Sequence, residues 1–251
     1  MLRPGILLLL VWLSGCDKAT TAKNTTSLLL QLQYSGQPLN CDSPLMLADT
    51  PWQLAQFQVY LSEFRLNNKP VLLDPTPVHQ QQQLALLGSV CGEAENANWQ
   101  LKFTRPLTPG ELTFVIAVPL SRNHQDPLTA KPPLNQSDMF WSWQQGYKYL
   151  RLDMHSTAQP GQQWSLHLGA AGCQSASPLR APAVDCNHTN RATISLDYQP
   201  GQQLVLDLAP LLAGVQLSAD NHCMSDPNRL SCQTLLPRLG IGATPLGWSM
   251  Q

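Results

Sequence analysis

Hydrophobic and polar residues alternate with a period of two in many short stretches of the chain, and no long stretch repeats with the 3.6-residue period of a helix. This pattern predicts strands over residues 30–34, 57–61, 112–118, 147–154, 164–168, 192–198 and 204–208. Pro-Gly pairs predict tight turns between several of them. Many short strands separated by turns are typical of an all-β domain, so we expect a two-sheet β-sandwich-like fold with one short helix over residues 231–239.

Two segments interrupt this pattern. Residues 121–137 form a Pro-rich stretch that is too long for a simple connection, and long ordered loops are often functional. Residues 175–184 are rich in Ser, Pro and Ala and lie between Cys173 and Cys186, which predicts a surface loop tied down at both ends. We therefore expect long loops on the sandwich.

The first residues indicate export. An apolar run over residues 6–13 follows Arg3 and is too short to span a bilayer as a helix, but it suits the core of a signal peptide. The run ends in Leu-Ser-Gly-Cys, which resembles a bacterial lipobox with Cys16 as the lipidated residue. We expect a signal peptide over residues 1–15, a lipidated Cys16 with a polar tether over 16–27, and one domain over 28–251. Such a lipoprotein would be anchored in a membrane and face the periplasm; Asp17 favours the inner membrane, with the outer membrane as the alternative.

The remaining cysteines predict disulfides. Six cysteines are left after Cys16, and an even number in an oxidising compartment implies up to three bridges, although six cysteines allow 15 pairings. Short sequence separation favours Cys173–Cys186 and Cys223–Cys232, which leaves Cys41–Cys91 as the long-range bridge. The chain has no Cys-x-x-Cys, so a thioredoxin-like redox site, a zinc ribbon and a c-type haem attachment are not indicated.

Charge and motifs exclude several functions. The 15 Lys and Arg residues nearly balance the 16 Asp and Glu residues, and only 12% of the chain is charged. Nucleic-acid binding needs a basic surface that neutralises phosphates, so we expect none. Signatures of serine hydrolases, zinc proteases, phosphate-binding loops and calcium loops are absent from the sequence.

Tryptophans and histidines form the most unusual cluster. Trp141 and Trp143 are separated by one residue, so in a strand they would point to the same face, where a core plug is the ordinary interpretation. His167 alternates with Leu166 and Leu168 and should face away from the surface that those leucines bury, while His124 precedes a Pro-rich turn. Lone histidines are more often structural than metal ligands, so these patterns alone indicate only a disulfide-bonded β domain with a candidate His metal site.

Longer motifs carry a resemblance to a known family. The strings NHQDP, PPLN, MFWSWQQGYKYLRLD and HLGAAGC occur in this order and are followed by Cys186, Cys223 and Cys232. Together they resemble the MbnP family, whose members form the copper-binding half of the metallo-mystery pair. The resemblance extends over nearly the whole mature chain.

The resemblance implies a specific chemistry. Family members are paired with a dihaem, cytochrome c peroxidase-like enzyme that oxidises a Trp to kynurenine, which then helps His nitrogens to hold copper. In this chain the implied ligands are His124, His167 and a kynurenine made from either Trp141 or Trp143. Imidazole suits copper, and copper is the most strongly bound of the common divalent metals. Asn123 and Asp126 would lie behind His124, where Asp126 would orient the imidazole.

Three functions follow as hypotheses. The first is a copper-binding lipoprotein that acts in copper acquisition or homeostasis without turnover of its own. The second is a copper-dependent redox enzyme, which would need an open coordination position and a substrate cleft. The third is a metal-free surface β module in which the two Trp side chains belong to the core.

Overall fold

The computed structural model describes residues 26–251, apart from the side chains of residues 94–96. The predicted signal peptide, Cys16 and most of the predicted tether therefore lie outside the described residues. No helix within residues 26–251 has the length and apolar character needed to cross a membrane.

The regular secondary structure of the described chain consists mainly of strands, which form two sheets. The smaller sheet has five strands: β1 (Ser27–Tyr34), β2 (Gln37–Pro38), β9 (Gln100–Lys102), β15 (Leu204–Asp207) and β17 (Trp248–Met250). The larger sheet has twelve: β3 (Pro44–Leu47), β4 (Thr50–Leu66), β5 (Lys69–Pro70), β6 (Gln80–Gln81), β7 (Leu84–Val90), β8 (Glu93–Asn98), β10 (Gly110–Ile116), β11 (Phe140–Ser142), β12 (Gly146–Ser156), β13 (Gln163–Gly169), β14 (Ala192–Tyr198) and β16 (Cys223–Met224). The helices are α1 (Leu208–Leu212) and α2 (Leu230–Leu239), with 3₁₀ turns at Leu120–Arg122 and Ser137–Met139. This arrangement is the predicted all-β, sandwich-like fold.

Strand β4 organises the larger sheet. It is 17 residues long, and its length lets it pair with β12 through Trp52 to Val59 and with β10 through Leu61 to Leu66. Its other edge pairs with β7 over Gln56 to Ser62. The strand order β14-β10-β4-β12-β13-β16 therefore places β12 and β13 between other strands, where both of their edges are hydrogen-bonded.

The period-two pattern decides which side chains enter the core. On β12, Leu150, Leu152 and Met154 are at most 1% exposed, whereas the intervening Arg151 and Asp153 are half-buried on the other face. Leu166 and Leu168 on β13 are fully buried, so His167 lies on the face of Arg151 and Asp153, as its alternation with the leucines predicts. This polar face of β12 and β13 carries the candidate site.

All seven predicted strands are confirmed, with ends that differ by a few residues; they are β1, β4, β10, β12, β13, β14 and β15. The predicted helix is confirmed as α2, which ends where Gly240 adopts the left-handed φ of +102° that favours glycine. Strand β7 was not predicted from the sequence. Its residues, LALLGSV, form an apolar run without alternation because nearly all of them are buried, and such a run does not distinguish a strand from a helix.

Three disulfides cross-link the described chain. They join Cys41 to Cys91, Cys173 to Cys186, and Cys223 to Cys232, which are the pairs that sequence separation favours. The second bridge closes the Ser/Pro/Ala-rich loop as expected. The third ties β16, which has only two residues, to α2.

Candidate metal centre

A hairpin of β11 and β12 forms the floor of the site. Ser142 pairs with Gly146, and residues 143–145 make the turn between the two strands. Gly146 has a φ of +79°, and a Cβ added there would lie 2.3 Å from the backbone oxygen of Asn123. Only glycine therefore lets the loop that carries Asn123 approach the hairpin this closely.

Asn123 fixes this loop to the hairpin. Its side chain is fully buried, and the Tyr147 N–H donates to both its backbone oxygen and its Oδ1, each at 3.1 Å. The long loop over residues 121–137 is thus anchored next to the Trp-rich turn. This contact brings His124, the next residue, to the same hairpin.

His124 is held through both ring nitrogens. Nδ1 lies 3.0 Å from the backbone oxygen of Trp143, and Nε2 lies 3.3 Å from Nδ2 of Asn123. A carbonyl oxygen can only accept, so Nδ1 carries the proton, and the lone pair of Nε2 accepts a long hydrogen bond from Nδ2 of Asn123. Burial lowers the pKa of His124, although the hydrogen bond to Trp143 opposes this shift. His124 is therefore a neutral imidazole whose Nε2 has the lone pair that a metal requires.

The prediction that Asp126 orients His124 is wrong. Oδ1 of Asp126 accepts from the backbone N–H of Leu128, two residues further on, so the carboxylate stabilises its own turn. The backbone oxygen of Trp143 takes the orienting role instead. Nδ2 of Asn123 contacts Nε2 of His124, and its place behind a bound metal stays a prediction.

His167 is oriented by a carboxylate that sequence reasoning missed. Its Nε2 lies 2.8 Å from Oδ1 of Asp153, and the other carboxylate oxygen accepts from Nε of Arg151 at 2.6 Å. The Nδ1 atom of His167 is buried and has no hydrogen-bond partner within the described part of the chain. An imidazole that donates one N–H to a carboxylate and leaves the other nitrogen unpaired is the usual arrangement of a metal-binding histidine.

The electrostatics keep the two groups of this pair in fixed states. Burial lowers the pKa of His167, while Asp153 raises it, and burial is the larger effect. For Asp153, burial alone would raise the pKa, but the hydrogen bond and charge of His167, with Ser165 and Arg151, lower the pKa to about 2. At neutral pH a carboxylate thus faces a neutral imidazole, whose unpaired Nδ1 can bind a cation.

Trp141 and Trp143 do not share a face, contrary to the prediction. The Trp141 ring lies near His167, with 6.4 Å between ring centroids, whereas the Trp143 ring lies near Phe140, at 6.2 Å. Strand β11 ends at Ser142, and Trp143 belongs to the turn, where strand alternation no longer applies. Of the two indole rings, that of Trp141 therefore lies beside a candidate ligand, His167.

The absence of a side chain at Gly169 leaves the space that the ring of Trp141 occupies. Gly169 lies two residues after His167 on β13, hence on the same face, and a Cβ at this position would lie 2.5 Å from Cζ3 of Trp141. The indole ring thus covers the strand where a side chain would otherwise stand.

Ala170, the residue after Gly169, lines a cleft of about 130 Å³ that is also lined by His124 and Cys186.

The structure brings both histidines to one short segment of chain. His124 contacts the backbone of the Trp141–Trp143 turn region and His167 contacts the ring of Trp141. Each imidazole has one nitrogen fixed by an oxygen. The other nitrogen has no partner in the described chain in His167, and in His124 it accepts a 3.3 Å hydrogen bond from Asn123 that a metal would replace, so the residues fit a copper ion held by imidazoles. Within residues 26–251, no group of three or more His, Cys, Asp or Glu side chains forms a metal-binding cluster. A metal here would thus need a ligand of another kind.

Asp153 carried a weak sequence signal. It lies on the polar face of a predicted strand, between Arg151 and His155, but its proximity to His167 depends on the pairing of β12 with β13. In that register Asp153 faces Ser165, so the carboxylate reaches His167 along a diagonal. Alternation predicts the face of a residue but not its cross-strand neighbours.

Comparisons with known proteins agree with this architecture. No curated protein matches the chain. Among solved structures, MbnP from Methylosinus trichosporium matches with a TM-score of 0.73 and 21% sequence identity, over 90% of this chain and 97% of that chain, which shows that the two share a fold. The family model for MbnP matches residues 23–225, and the chain therefore belongs to the MbnP family.

Proposed function

We propose that this protein binds copper through Nε2 of His124, Nδ1 of His167 and a kynurenine made from Trp141, and that it serves copper acquisition or homeostasis without turnover of its own. Family membership supports a copper-associated role. The observation that carries the site is the buried, unpartnered Nδ1 of His167, whose ring lies 6.4 Å from that of Trp141. An unpaired buried nitrogen costs free energy unless it gains a partner, and a bound metal would be that partner.

The choice of Trp141 over Trp143 rests on geometry. Trp141 covers Gly169 beside His167, while Trp143 packs against Phe140 and contributes only its backbone oxygen to His124. An indole offers a metal no good ligand, but a kynurenine offers a carbonyl oxygen and an aromatic amine. Copper binding would therefore depend on prior oxidation of Trp141.

A separate dihaem, peroxidase-like enzyme would carry out this oxidation, since the sequence has no haem attachment motif. Two equivalents of hydrogen peroxide supply the oxidant for the four-electron step. The C2–C3 bond of the indole opens to N-formylkynurenine while the peroxide is reduced to water. Addition of water then releases the formyl carbon as formate and leaves kynurenine.

The fold supports binding by holding the ligands rigidly. His167 stands on a strand that is hydrogen-bonded to β12 and β16 on its two edges, and Asp153 fixes its ring. His124 is fixed at Nδ1 by the backbone oxygen of Trp143, and copper at Nε2 would replace the hydrogen bond from Asn123. Ligands held in place before binding lose little conformational entropy when the metal arrives. We further propose that Cys16 is lipidated, so that the domain faces the periplasm from a membrane anchor.

The test combines intact mass with copper binding. The protein, produced with its dihaem partner and treated with peroxide, should gain about 4 Da and then bind about one equivalent of copper. Trp141→Phe should lose both the mass gain and the binding, whereas Trp143→Phe should keep both. His124→Ala and His167→Ala should each weaken copper binding at least about tenfold.

The matched control is His188→Ala. His188 is exposed, and its backbone pairs with Ala171 close to the site, so its replacement tests general disturbance of this region. It should leave copper binding unchanged. A protein that gains no mass and binds no copper would instead be the metal-free β module, and a mass gain on Trp143 would refute the assignment of Trp141.

A further inference from the structure

A larger, polar cleft lies along the long loop over residues 121–137. It has a volume of about 630 Å³ and is lined by residues other than the proposed copper ligands. The loop supplies Arg122, Asp126 and Lys131, and strand β6 supplies Gln81. Sites that bind small molecules typically have volumes of about 300–1,000 Å³ and a few placed polar groups. The cleft therefore has the size of a site for a small organic ligand.

Gln81 fixes Arg122 at the wall of this cleft. Its Oε1 accepts from Nη2 of Arg122 at 2.7 Å, and its Nε2 donates to the backbone oxygen of Pro132. One amide side chain thus joins the 3₁₀ turn that carries Arg122 to the later part of the loop, where Lys131 lies. The guanidinium is held in place before any ligand arrives, so binding would cost little side-chain entropy.

The guanidinium of Arg122 has no anionic partner. It is half-buried, yet it forms no salt bridge with any residue of the described chain, and its side-chain hydrogen bond goes to the neutral oxygen of Gln81. Arg151 and Arg191 are also half-buried, and both pair with carboxylates. Burial lowers the pKa of Arg122 because it disfavours the charged form. Buried charges are normally paired, so this unpaired guanidinium indicates an anionic ligand.

Lys131 and Asp126 define the kind of anion that fits. Lys131 is exposed and forms no salt bridge within residues 26–251, so it adds a second positive charge to the cleft. Oδ1 of Asp126 accepts from the backbone N–H of Leu128, whereas Oδ2 has no hydrogen-bond partner among the described residues. Two positive charges beside one carboxylate suit a ligand that has both a carboxylate and a hydrogen-bond donor. Sulfate would offer Asp126 a second negative charge and no donor.

We propose that this cleft binds a small hydroxy acid, whose carboxylate is held by Arg122 and Lys131 and whose hydroxyl donates to Asp126. The proposal goes beyond the proposed function, since no copper ligand takes part. A guanidinium carries five N–H donors in a fixed fork, so Arg122 keeps donors for a carboxylate after its bond to Gln81. The hydroxyl would meet the carboxylate oxygen of Asp126 that Leu128 leaves free.

Calorimetric titration of the copper-free protein with malate tests the proposal. Wild type should bind malate saturably, and succinate, which lacks the hydroxyl, should bind about tenfold more weakly because Asp126 then has no donor to accept from. Arg122→Gln should lose about tenfold or more of the affinity for malate. The matched control is Arg105→Gln, which removes an exposed arginine outside this cleft and should match wild type.

Lys131→Gln separates the loss of charge from a disturbance of the loop. Arg122 also holds Gln81, so its replacement affects the loop as well as the charge. The side chain of Lys131 makes no hydrogen bond in the part of the chain that the structure describes, so Lys131→Gln changes the charge alone. It should weaken malate binding about threefold and leave the urea-unfolding midpoint unchanged.

Three outcomes would overturn the proposal. They are no saturable binding of malate to wild type, equal affinities for malate and succinate, and sulfate bound as tightly as malate. Malate affinity that is unchanged in both Arg122→Gln and Lys131→Gln would overturn it as well. Because the titrated protein contains no copper, none of these results affects the proposed function, which is tested by the copper and mass measurements on Trp141 and the two histidines.

Discussion

The close contact between Gly169 and Trp141 allows a sharp test of how the site is positioned. Gly169 differs from most glycines of the chain because its backbone does not adopt a positive φ, so alanine is conformationally acceptable there. The obstacle is space alone. An added Cβ would lie 2.5 Å from Cζ3 and 3.0 Å from Cη2 of Trp141, and 2.9 Å from the backbone oxygen of Tyr147.

The expected effect of Gly169→Ala follows from these distances. Ordinary contact with a Cβ begins near 3.4 Å, so the indole ring must move by about 0.9 Å. Overpacking of this kind typically costs about 1–3 kcal/mol of unfolding free energy. Displacement of a reacting group by about 1 Å can cost about a hundredfold in rate, so kynurenine formation should slow strongly.

Urea unfolding followed by circular dichroism measures the first quantity, and intact mass after timed exposure to the dihaem partner and peroxide measures the second. In a Trp141→Phe background the smaller ring leaves room, so Gly169→Ala should cost less there, with a coupling of about 1–2 kcal/mol between the two sites. A Gly169→Ala protein with wild-type stability and wild-type kynurenine yield would refute the reasoning. An unchanged cost in the Trp141→Phe background would assign the strain to Tyr147 instead.

Two further predictions concern Asp153 and Cys16. The pKa of Asp153 is about 2 instead of the ordinary 3.8, and its carboxylate is 15% exposed. The ionised carboxylate therefore stabilises the copper-free protein by about 2 kcal/mol above pH 4. This contribution should be lost as the pH falls towards 2. Urea unfolding should be measured between about pH 2.5 and 5, a range chosen around the folded and ordinary pKa values of Asp153. The unfolding free energy should fall more steeply with decreasing pH in wild type than in Asp153→Asn, and equal slopes would contradict the assignment. Cys16→Ser should release the protein from the membrane fraction or leave it unprocessed, and unchanged membrane fractionation would exclude a lipid anchor at Cys16.

The sequence predicts the fold well because the relevant physics is local. Burial of one face of a strand forces alternation, and most of β1, the second half of β12 and the first half of β13 show it. Strand β7 escapes because it is buried on both faces, which removes the alternation. The faces of Leu166, His167 and Leu168 were predicted correctly for the same local reason.

The site is harder to predict because it depends on where local patterns stop. Trp141 and Trp143 would share a face in a longer strand, but β11 ends at Ser142 and Trp143 lies in the turn. The Trp141 ring therefore lies near His167 and the Trp143 ring near Phe140. Asp126 looked like the partner of His124 because it is near in sequence, yet the carboxylate binds the nearest free backbone N–H, that of Leu128. A short side chain in a turn is satisfied locally before it can reach a neighbour.

The groups that surround His167 come from positions far apart in the chain. Asp153 reaches it through the β12–β13 register, and Met224 through a two-residue strand held by a disulfide and by Ser225. The sequence around these neighbours does not place them beside His167, since each contact depends on pairing between strands. The residues that orient a ligand are therefore set by sheet register, and around His167 that register is fixed from both edges of β13. That is where a metal site gains most, because a ring whose orientation is fixed in advance binds a metal without a further loss of conformational entropy.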